Sequence, residues 1–306
     1  MSSARKPLVV VGSVTMDMVA CAPSIPRVGQ TVIGTTFHLT PGGKGANQAV
    51  AIARLGYPVE MIGLVGQDVY GPALLDNLAR QGVVTSSMAQ VEGSSGLAPI
   101  FLSEAGENSI IVIPGANQHV SPAYVDKHRD AIARAGMVLC QLEIPMATLN
   151  HTLAVCGELG VPVILDPAPA AELDPQVFER VAWFTPNESE AEFYVHADLP
   201  PEKAAAHLQS LGLSGIVLKR GADGAYVADA SGRAERVRGF AVEAIDTVGA
   251  GDCFNGAFAV ALMEGRDAWE AARFANAAAA LSVTGKGAQG ALPTHAQVDK
   301  LLAREG

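Results

Sequence analysis

The chain has few of the features that mark disulfide-bonded, membrane or nucleic-acid-binding proteins. Its four cysteines include no C-x-x-C pair, which favours reduced thiols in a core over disulfides or a zinc site. No apolar stretch reaches the ~18 residues of a membrane span. The 21 basic residues are outnumbered by 31 acidic ones, and no basic run exceeds Arg5-Lys6. Because nucleic acids and anionic membranes bind clustered lysine and arginine, we expect no nucleic-acid and no membrane partner.

The N-terminal region has the outline of a secretory signal but not its composition. Arg5-Lys6 is followed by an apolar run that ends at Ala-Cys-Ala, residues 20–22. Asp17 interrupts this run, and the stretch LVVVG at 8–12 is typical of a buried strand. We therefore expect a cytoplasmic protein, with secretion as the disfavoured alternative.

Two common nucleotide-binding motifs are also missing. The chain has no G-x-x-x-x-G-K-[ST] phosphate loop. Residues 285–290, GKGAQG, have G-x-G-x-x-G spacing, but they follow an alanine-rich helical pattern rather than a strand and precede Pro293. The sequence therefore does not predict NAD binding there.

What the chain does contain is a regular alternation of strands and helices. Short β-branched runs alternate with alanine- and leucine-rich stretches that end at glycine, as helices often do. This pattern predicts one α/β domain over residues 1–306, whose doubly wound, mostly parallel sheet is flanked by helices on both faces. From residue 251 onwards the pattern is almost entirely helical. Strands are predicted at 8–14, 59–65, 137–142, 161–165, 182–185 and 215–218.

Two glycine-rich segments, at about 16–41 and 86–114, interrupt the alternation of strands and helices. They alternate apolar and polar residues and have no helical stretch between their strands. We expect them to form antiparallel ribbons that project from the main sheet as a small β lid.

Polar residues or glycines follow several predicted strands at the point where each strand ends. In an open α/β sheet, ligands bind beyond the carboxyl ends of parallel strands. A single acid at such an end most often caps a helix, but several acids and an amide at one edge indicate a ligand site. The residues at these ends are Thr15, Asp17, Glu143, Asp166, Asn187, Lys219 and Gly221.

The stretch PGGKGANQA (41–49) combines glycines with a positive charge at the start of a helical pattern. Lys44 and Asn47 are three residues apart and therefore share a helix face. Gly42 and Gly43 let the backbone approach a ligand without an intervening Cβ. The alternative is a glycine-rich helix start with a solvated lysine, but the presence of Asp17 favours recognition of hydroxyl groups.

The stretch DTVGAGD (246–252) places a carboxylate directly after a glycine-rich turn. If a helix begins near Asp252, the amides of Gly249, Ala250 and Gly251 lack intrahelical partners and form an anion site. Such amides can stabilise a transferring phosphoryl group while Asp252 accepts the proton of an attacking hydroxyl. The alternative is that Asp252 only caps the helix, which would not require the preceding glycines.

Together, GGKGANQA and DTVGAGDCFNGA resemble the two motifs of the ribokinase-like (phosphofructokinase-B type) carbohydrate kinases. Further blocks at 12–17, 115–122, 141–145, 166–170, 185–192 and 284–289 extend the resemblance along nearly the whole chain. It implies an ATP-dependent, magnesium-requiring kinase of a pentose primary hydroxyl, with D-ribose at O5 the favoured acceptor. It also implies a lid that closes on the sugar and a homodimer formed through that lid. The alternatives are a kinase of 2-deoxyribose, another furanose or a nucleoside, and a non-catalytic sugar sensor.

The resemblance also implies roles for individual residues. Asp252 corresponds to the catalytic base, with the backbone amides of Gly249, Ala250 and Gly251 as the anion hole. Thr15 departs from the family, which commonly has asparagine there, so the sugar contact is expected to differ. The implied sugar-binding residues are Thr15, Asp17, Gly43, Lys44, Gly45, Asn47, Glu143 and Asp252, and the implied ATP-binding residues are Asn187, Glu190, Lys219, Gly221, Ala222, Gly224, Gly251 and Asn276.

Two metal ions are implied as well. Asn187 and Glu190 correspond to the pair that supports magnesium and the ATP phosphates, largely through water. An activating potassium ion is the second, since a cage of carbonyl oxygens suits large, weakly hydrated cations. The alternative for Asp246 is that it only caps a turn through Thr247. The implied potassium ligands are the Asp246 side chain and backbone carbonyls near Val248, Ser282, Gly285 and Gly287.

Overall fold

The computed structural model describes residues 5–304 of the chain. Within that range, the strands form a nine-stranded sheet and a separate four-stranded sheet. The strands are β1 (Leu8–Val11), β2 (Thr15–Ala22), β3 (Thr36–Gly42), β4 (Val59–Gly66), β5 (Met88–Val91), β6 (Gly96–Ser103), β7 (Asn108–Ile110), β8 (Met137–Cys140), β9 (Val163–Leu165), β10 (Trp183–Phe184), β11 (Ile216–Lys219), β12 (Ala225–Ala228) and β13 (Ala234–Val237).

Helices surround the larger sheet, and none of those described between residues 5 and 304 is long and apolar enough to cross a membrane. Short 3₁₀ turns cover Gly115–His119 and Gly221–Asp223. The α-helices are α1 (Lys44–Arg54), α2 (Gly71–Arg80), α3 (Pro122–Lys127), α4 (Arg129–Arg134), α5 (Met146–Leu159), α6 (Pro175–Arg180), α7 (Glu188–Val195), α8 (Pro201–Ser210), α9 (Ala250–Met263), α10 (Ala268–Ser282) and α11 (His295–Leu302).

The larger sheet has the strand order β13-β12-β11-β10-β9-β8-β1-β4-β5. Neighbouring strands are parallel from β5 to β11, and β12 and β13 extend the sheet antiparallel. Alternate residues of β1 enter two cores: Leu8 and Val10 pack with α1, α9 and α10, whereas Val9 and Val11 pack with α5 on the other face. The prediction of a mostly parallel sheet covered by helices on both faces is confirmed.

The predicted strands are all present, with shifted ends. The strand predicted at 8–14 ends at Val11, and a lid strand begins at Thr15. Two strands were not predicted, namely β12 and β13, which lie at one edge of the sheet. The C-terminal region is less helical than predicted, since residues 283–294 form turns and loop between α10 and α11.

The four-stranded sheet is the expected β lid, in the order β3-β2-β6-β7. Its antiparallel ribbons are present as expected, but the second segment begins later in the chain than predicted. The two antiparallel ribbons, β2 with β3 and β6 with β7, are joined by a parallel pairing of β2 with β6. Residues 88–91 belong to the larger sheet, where β5 pairs with the otherwise free edge of β4, so the second lid segment begins at Gly96.

Candidate active site

A cavity of about 630 Å³ lies at the carboxyl ends of the parallel strands, between them and the start of α9. Lys44 and Asp252, one from each glycine-rich motif, both line it. The residues that the resemblance assigned to ATP line it as well, namely Asn187, Glu190, Lys219, Gly221, Ala222, Gly224, Gly251 and Asn276.

The first turn of α9 presents Asp252 to this cavity. The helix begins at Ala250, two residues earlier than predicted, after Gly249 with a φ of 77°. A side chain at Gly249 would also place its Cβ 2.7 Å from the Cβ of Ala288, so only glycine fits this turn. The amide of Ala250 donates to the carbonyl of Thr247 at 3.2 Å, which leaves Gly251 and Asp252 as the better placed amide donors.

The Asp252 carboxylate is buried, with 6% of the residue exposed. Its Oδ2 accepts a hydrogen bond from Asn47 Nδ2 at 2.9 Å, and its Oδ1 accepts one from Gln48 Nε2 at 3.3 Å. Burial raises its pKa to about 6; nearby Lys44 and the Asn47 hydrogen bond lower it, and the neighbouring acids raise it further. The carboxylate is therefore ionised at neutral pH but close enough to titration to exchange a proton.

A buried ion pair crosses the floor of the cavity. Lys219 Nζ lies 2.8 Å from Asp166 Oδ1, and the two side chains are 11% and 2% exposed. Asp166 Oδ2 accepts a hydrogen bond from Gln48 Nε2 at 3.0 Å. Asp166 was placed at a strand end by the sequence but was given no role there. A buried salt bridge is stable only when its remaining polar atoms are also hydrogen-bonded, and Gln48 does this for Asp166. The carboxylate therefore fixes the position of the Lys219 ammonium and offsets most of its charge.

Asn187 and Glu190 form the start of α7 as a capping box. Asn187 Oδ1 accepts from the Glu190 amide at 2.8 Å, and Glu190 accepts from the Asn187 amide at 2.8 Å. Burial raises the pKa of Glu190, with Lys219 acting against this and Asp166 adding to it. Their oxygens suit magnesium, but no cluster of three or more metal-ligating His, Cys, Asp or Glu side chains occurs in residues 5–304. A magnesium ion here would thus depend on phosphate and water ligands.

The lid end of the site contains Asp17 and Glu143. Thr15 Oγ1 donates to Asp17 Oδ1 at 2.8 Å, and Glu143 accepts from the Lys44 amide at 3.0 Å and from the Ser13 hydroxyl. Burial raises the pKa of Asp17 to about 6; the Thr15 hydrogen bond lowers it and Glu143 raises it. Two acids therefore converge where the lid meets α1, although Asp17 lies near the start of the lid strand β2 rather than at the end of a parallel strand.

Glycines let the lid strand and α1 approach each other. Gly43 has a φ of 91°, and a Cβ there would lie 2.8 Å from the Thr15 amide nitrogen. A Cβ at Gly45 would lie 2.6 Å from the Ser13 nitrogen, so this glycine packs against backbone. Burial lowers the pKa of Lys44, but the carboxylates around it reverse this and hold the pKa above its usual range. This lysine stays charged between the two ends of the site.

Asp246 joins the two glycine-rich loops that were predicted to enclose a potassium ion. Its Oδ1 accepts from the Val248 amide at 3.0 Å, and its Oδ2 accepts from the Gly287 amide at 2.8 Å. The backbone of Ile245 donates to the Val283 carbonyl at 2.7 Å, which brings the loops side by side. The hydrogen bond from Val248 is a local turn contact of the kind expected if Asp246 only caps a turn. The hydrogen bond from Gly287, in the other loop, was not predicted.

Comparison with known proteins decides the family. The profile of the pfkB family carbohydrate kinases matches residues 5–295. The chain belongs to this family. Ribokinase of Bacillus subtilis (strain 168) is 45% identical, covering 96% of this chain and 98% of the relative. Deoxyribokinase of Salmonella typhimurium is 35% identical, covering 97% and 98%.

Solved structures of pfkB-type kinases share the fold over the full length. Ribokinase from Thermotoga maritima has a TM-score of 0.90 at 35% identity, covering 97% of this chain and 99% of that one. Arabidopsis thaliana ribokinase, complexed with ribose and ATP, has a TM-score of 0.92 at 34% identity, covering 98% and 99%. This chain is thus a ribokinase-type member of the pfkB family in both sequence and architecture.

In this pfkB-family kinase, three glutamines of the site had escaped the sequence analysis, two of them buried and Gln289 half-buried. Gln48 contacts two carboxylates, Gln141 donates to Gln48 at 2.7 Å, and Gln289 donates to Asn47 at 2.9 Å. The signal available for Gln48 was its place next to Asn47 at the start of α1. Asn276, assigned to the nucleotide, donates to the carbonyls of Val237 and Arg238 at 3.1 Å and so anchors the end of β13 beside the cavity.

Proposed function

We propose that this protein transfers the γ-phosphoryl group of MgATP to the 5-hydroxyl of D-ribose, giving D-ribose 5-phosphate and ADP. The observation that carries the proposal is the placement of Asp252: a buried carboxylate, hydrogen-bonded on both oxygens, at the N-terminus of α9 and in the wall of the cavity. This is the arrangement that a phosphoryl transfer to an alcohol requires, because the acceptor needs a base and the phosphoryl group needs positive dipoles.

In the proposed reaction, Asp252 accepts the proton of the primary hydroxyl as the hydroxyl oxygen forms a bond to the γ-phosphorus. The bond from that phosphorus to the β–γ bridging oxygen breaks, and ADP carries away the electron pair. The first-turn amides of α9, chiefly those of Gly251 and Asp252, stabilise the negative charge of the transferring group. Magnesium bound with ATP would supply further charge neutralisation, and Asn187 and Glu190 are the side chains that would hold it through water.

The lid end of the site is the proposed sugar subsite. Asp17 and Glu143 offer carboxylate oxygens to sugar hydroxyls, and the backbone of Lys44 links Glu143 to the cavity wall. Thr15 donates its hydroxyl to Asp17, so it orients that carboxylate and its own contact with the sugar is reduced. Because the Thr15 hydroxyl is already bonded to Asp17, it depends less on a sugar hydroxyl as a partner. A sugar that lacks one hydroxyl therefore loses little here, which makes 2-deoxy-D-ribose the second candidate acceptor.

Two further proposals concern potassium and assembly. The loops at 246–249 and 282–287 lie side by side, and the Asp246 carboxylate joins them by accepting from the amides of Val248 and Gly287. We propose that this carboxylate, with the backbone carbonyls assigned to the site, holds potassium, because all of these ligands are oxygens. The lid exposes a set of apolar side chains, which supports a homodimer formed through the lid. These side chains are Phe37, Leu39, Phe101, Ile110, Ile111 and Val112, between 39% and 64% exposed.

A sugar panel tests the proposed function. The protein is incubated with MgATP and, separately, with D-ribose, 2-deoxy-D-ribose, D-fructose and adenosine, and ADP release gives kcat/KM for each. We expect the highest value for D-ribose. A higher value for 2-deoxy-D-ribose would reassign the acceptor, and no ADP with any sugar, despite sugar binding, would make the protein a sensor. The Asp252→Asn variant is the control for ADP formed by a contaminating kinase.

A further inference from the structure

Both oxygens of Asp252 are held by amides that are neighbours on α1. Asn47 donates to Oδ2 at 2.9 Å and Gln48 donates to Oδ1 at 3.3 Å. Gln48 also donates to Asp166 Oδ2 at 3.0 Å, and it is only 1% exposed. One buried NH₂ group therefore bridges two carboxylates, one on α9 and one beyond β9.

The orientation of the Gln48 amide follows from its surroundings. Ionised carboxylates can only accept hydrogen bonds, so Gln48 must turn its NH₂ group towards Asp166 and Asp252. Its Oε1 faces the other way and accepts from Gln141 Nε2 at 2.7 Å. Asn47 is fixed in the same manner, since its Oδ1 accepts from Gln289 Nε2 at 2.9 Å. Each amide on Asp252 is thus backed by a second amide.

We infer that Gln48 is a positioning residue of the phosphoryl-transfer site, which aims the Asp252 carboxylate and ties it to the Asp166–Lys219 pair on the nucleotide side. This inference rests on the proposed kinase function. Gln48 contacts the base rather than the substrates, and through Asp166 it connects Lys219 to the base by hydrogen bonds. A residue that only filled space would not need to donate to both acids.

The bridge has a consequence for proton uptake. Without the shared NH₂ group, Asp166 and Asp252 face each other as like charges, so protonation of Asp252 becomes easier and its pKa rises. A protonated base cannot accept the hydroxyl proton, so the acid limb of kcat moves to higher pH. The charged and titratable groups that face Asp252 are otherwise unchanged, namely Lys44, Glu143, Asp166, Glu190, Lys219 and the Cys253 thiol.

The test compares Gln48→Met with Gln141→Met, two amide-to-thioether changes at adjacent buried positions. Gln141 contacts Gln48 but neither carboxylate. For Gln48→Met we expect the acid limb of kcat to move up by about one pH unit, which alone reduces kcat at pH 6 about fivefold, and we expect kcat at pH 9 within about threefold of the parent. For Gln141→Met we expect a smaller shift of the limb, because Gln48 loses the amide behind it but keeps its hydrogen bonds to both acids. A shift as large as that of Gln48→Met would contradict the inference.

A second readout does not depend on turnover. The Asp252 carboxyl is titrated by ¹³C NMR in the full chain labelled with [γ-¹³C]aspartate, and Asp252→Asn identifies its resonance. We expect the pKa of Asp252 to rise in Gln48→Met by the same amount as the acid limb of kcat. We expect a larger rise in the isosteric Gln48→Glu, because this variant adds a third acid. Gln48→Glu also provides the test if the methionine variant does not fold. An unchanged titration in the folded Gln48 variants would overturn the inference. An unmodified protein that titrates as expected but never releases ADP would instead overturn the proposed function.

Discussion

Replacing Asp252 by asparagine is expected to remove turnover while making the folded protein more stable. Loss of a positioned base lowers kcat by about 10²–10⁴-fold, which corresponds to about 3–5 kcal/mol in the barrier. Asparagine keeps the size of the side chain, so sugar and ATP should still bind. The change therefore separates chemistry from binding.

The stability gain follows from the burial of this carboxylate, which raises its pKa from 3.8 to about 6. An acid with a higher pKa in the folded state opposes folding once it is ionised in both states. This effect is absent below the unfolded pKa, grows as the pH rises towards 6, and is complete above it, where it reaches about 3 kcal/mol. Misplaced hydrogen bonds from Asn47 and Gln48 to the new amide cost about 1 kcal/mol. The net gain at pH 8 is about 2 kcal/mol, or about 3 °C in Tm for a chain of this length.

The assay is ADP release at pH 8 with saturating D-ribose and MgATP, together with calorimetric Tm at pH 8 and pH 4 and titration calorimetry for both ligands. The expected result is lost kcat, retained binding and a Tm gain at pH 8 that shrinks at pH 4. Turnover above a tenth of the parent value would refute the role of Asp252 as the base. A lower Tm at pH 8 would refute the reasoning about its burial.

Three further predictions concern the sugar, the cation and the lid. Asp17→Ala should raise KM for D-ribose by about 5–150-fold, because an unpaired hydroxyl in a closed pocket costs about 1–3 kcal/mol. Thr15→Asn should increase the preference for D-ribose over 2-deoxy-D-ribose, and an unchanged ratio of kcat/KM for the two sugars would contradict this. Potassium should raise turnover several-fold over sodium or tetramethylammonium at fixed ionic strength, and Asp246→Ala should abolish the difference; equal rates in the three salts would leave Asp246 as a turn residue. Phe37→Lys with Ile111→Lys should convert a dimer to a monomer in sedimentation equilibrium, and a parent protein that is already monomeric would end the proposal of a lid dimer.

Local patterns were enough to predict the parallel sheet and the two ends of the site. Lys44, Asn47 and Asp252 belong to short motifs whose spacing places them at helix starts, and Asp166 follows a strand whose partners are parallel. The edge strand β5 was assigned to the lid because its sequence does not show that it pairs with β4. The parallel pairing of β2 with β6 was also not predicted, because the period of a strand does not show which other strand it pairs with.

The hydrogen-bond network behind the base could not be predicted in the same way. Gln48 contacts acids that lie 118 and 204 residues away in the chain, and Gln289 contacts Asn47 across 242 residues. Helical periodicity identifies the buried face of α1 but not the polar partners on that face. The pKa of Asp252 depends on these partners, so the sequence predicted a base but not its electrostatic environment.

Proton-coupled ³¹P NMR of the reaction with MgATP and D-ribose tests the central claim most directly, because it reports both the transfer and the position of the new phosphate. A phosphate ester of the primary 5-hydroxyl is split into a triplet by the two protons of its CH₂ group. We predict this triplet, growing as ADP accumulates and absent with Asp252→Asn. A doublet, which marks a phosphate on a ring CH group, or no new ester at all, would contradict the proposed chemistry.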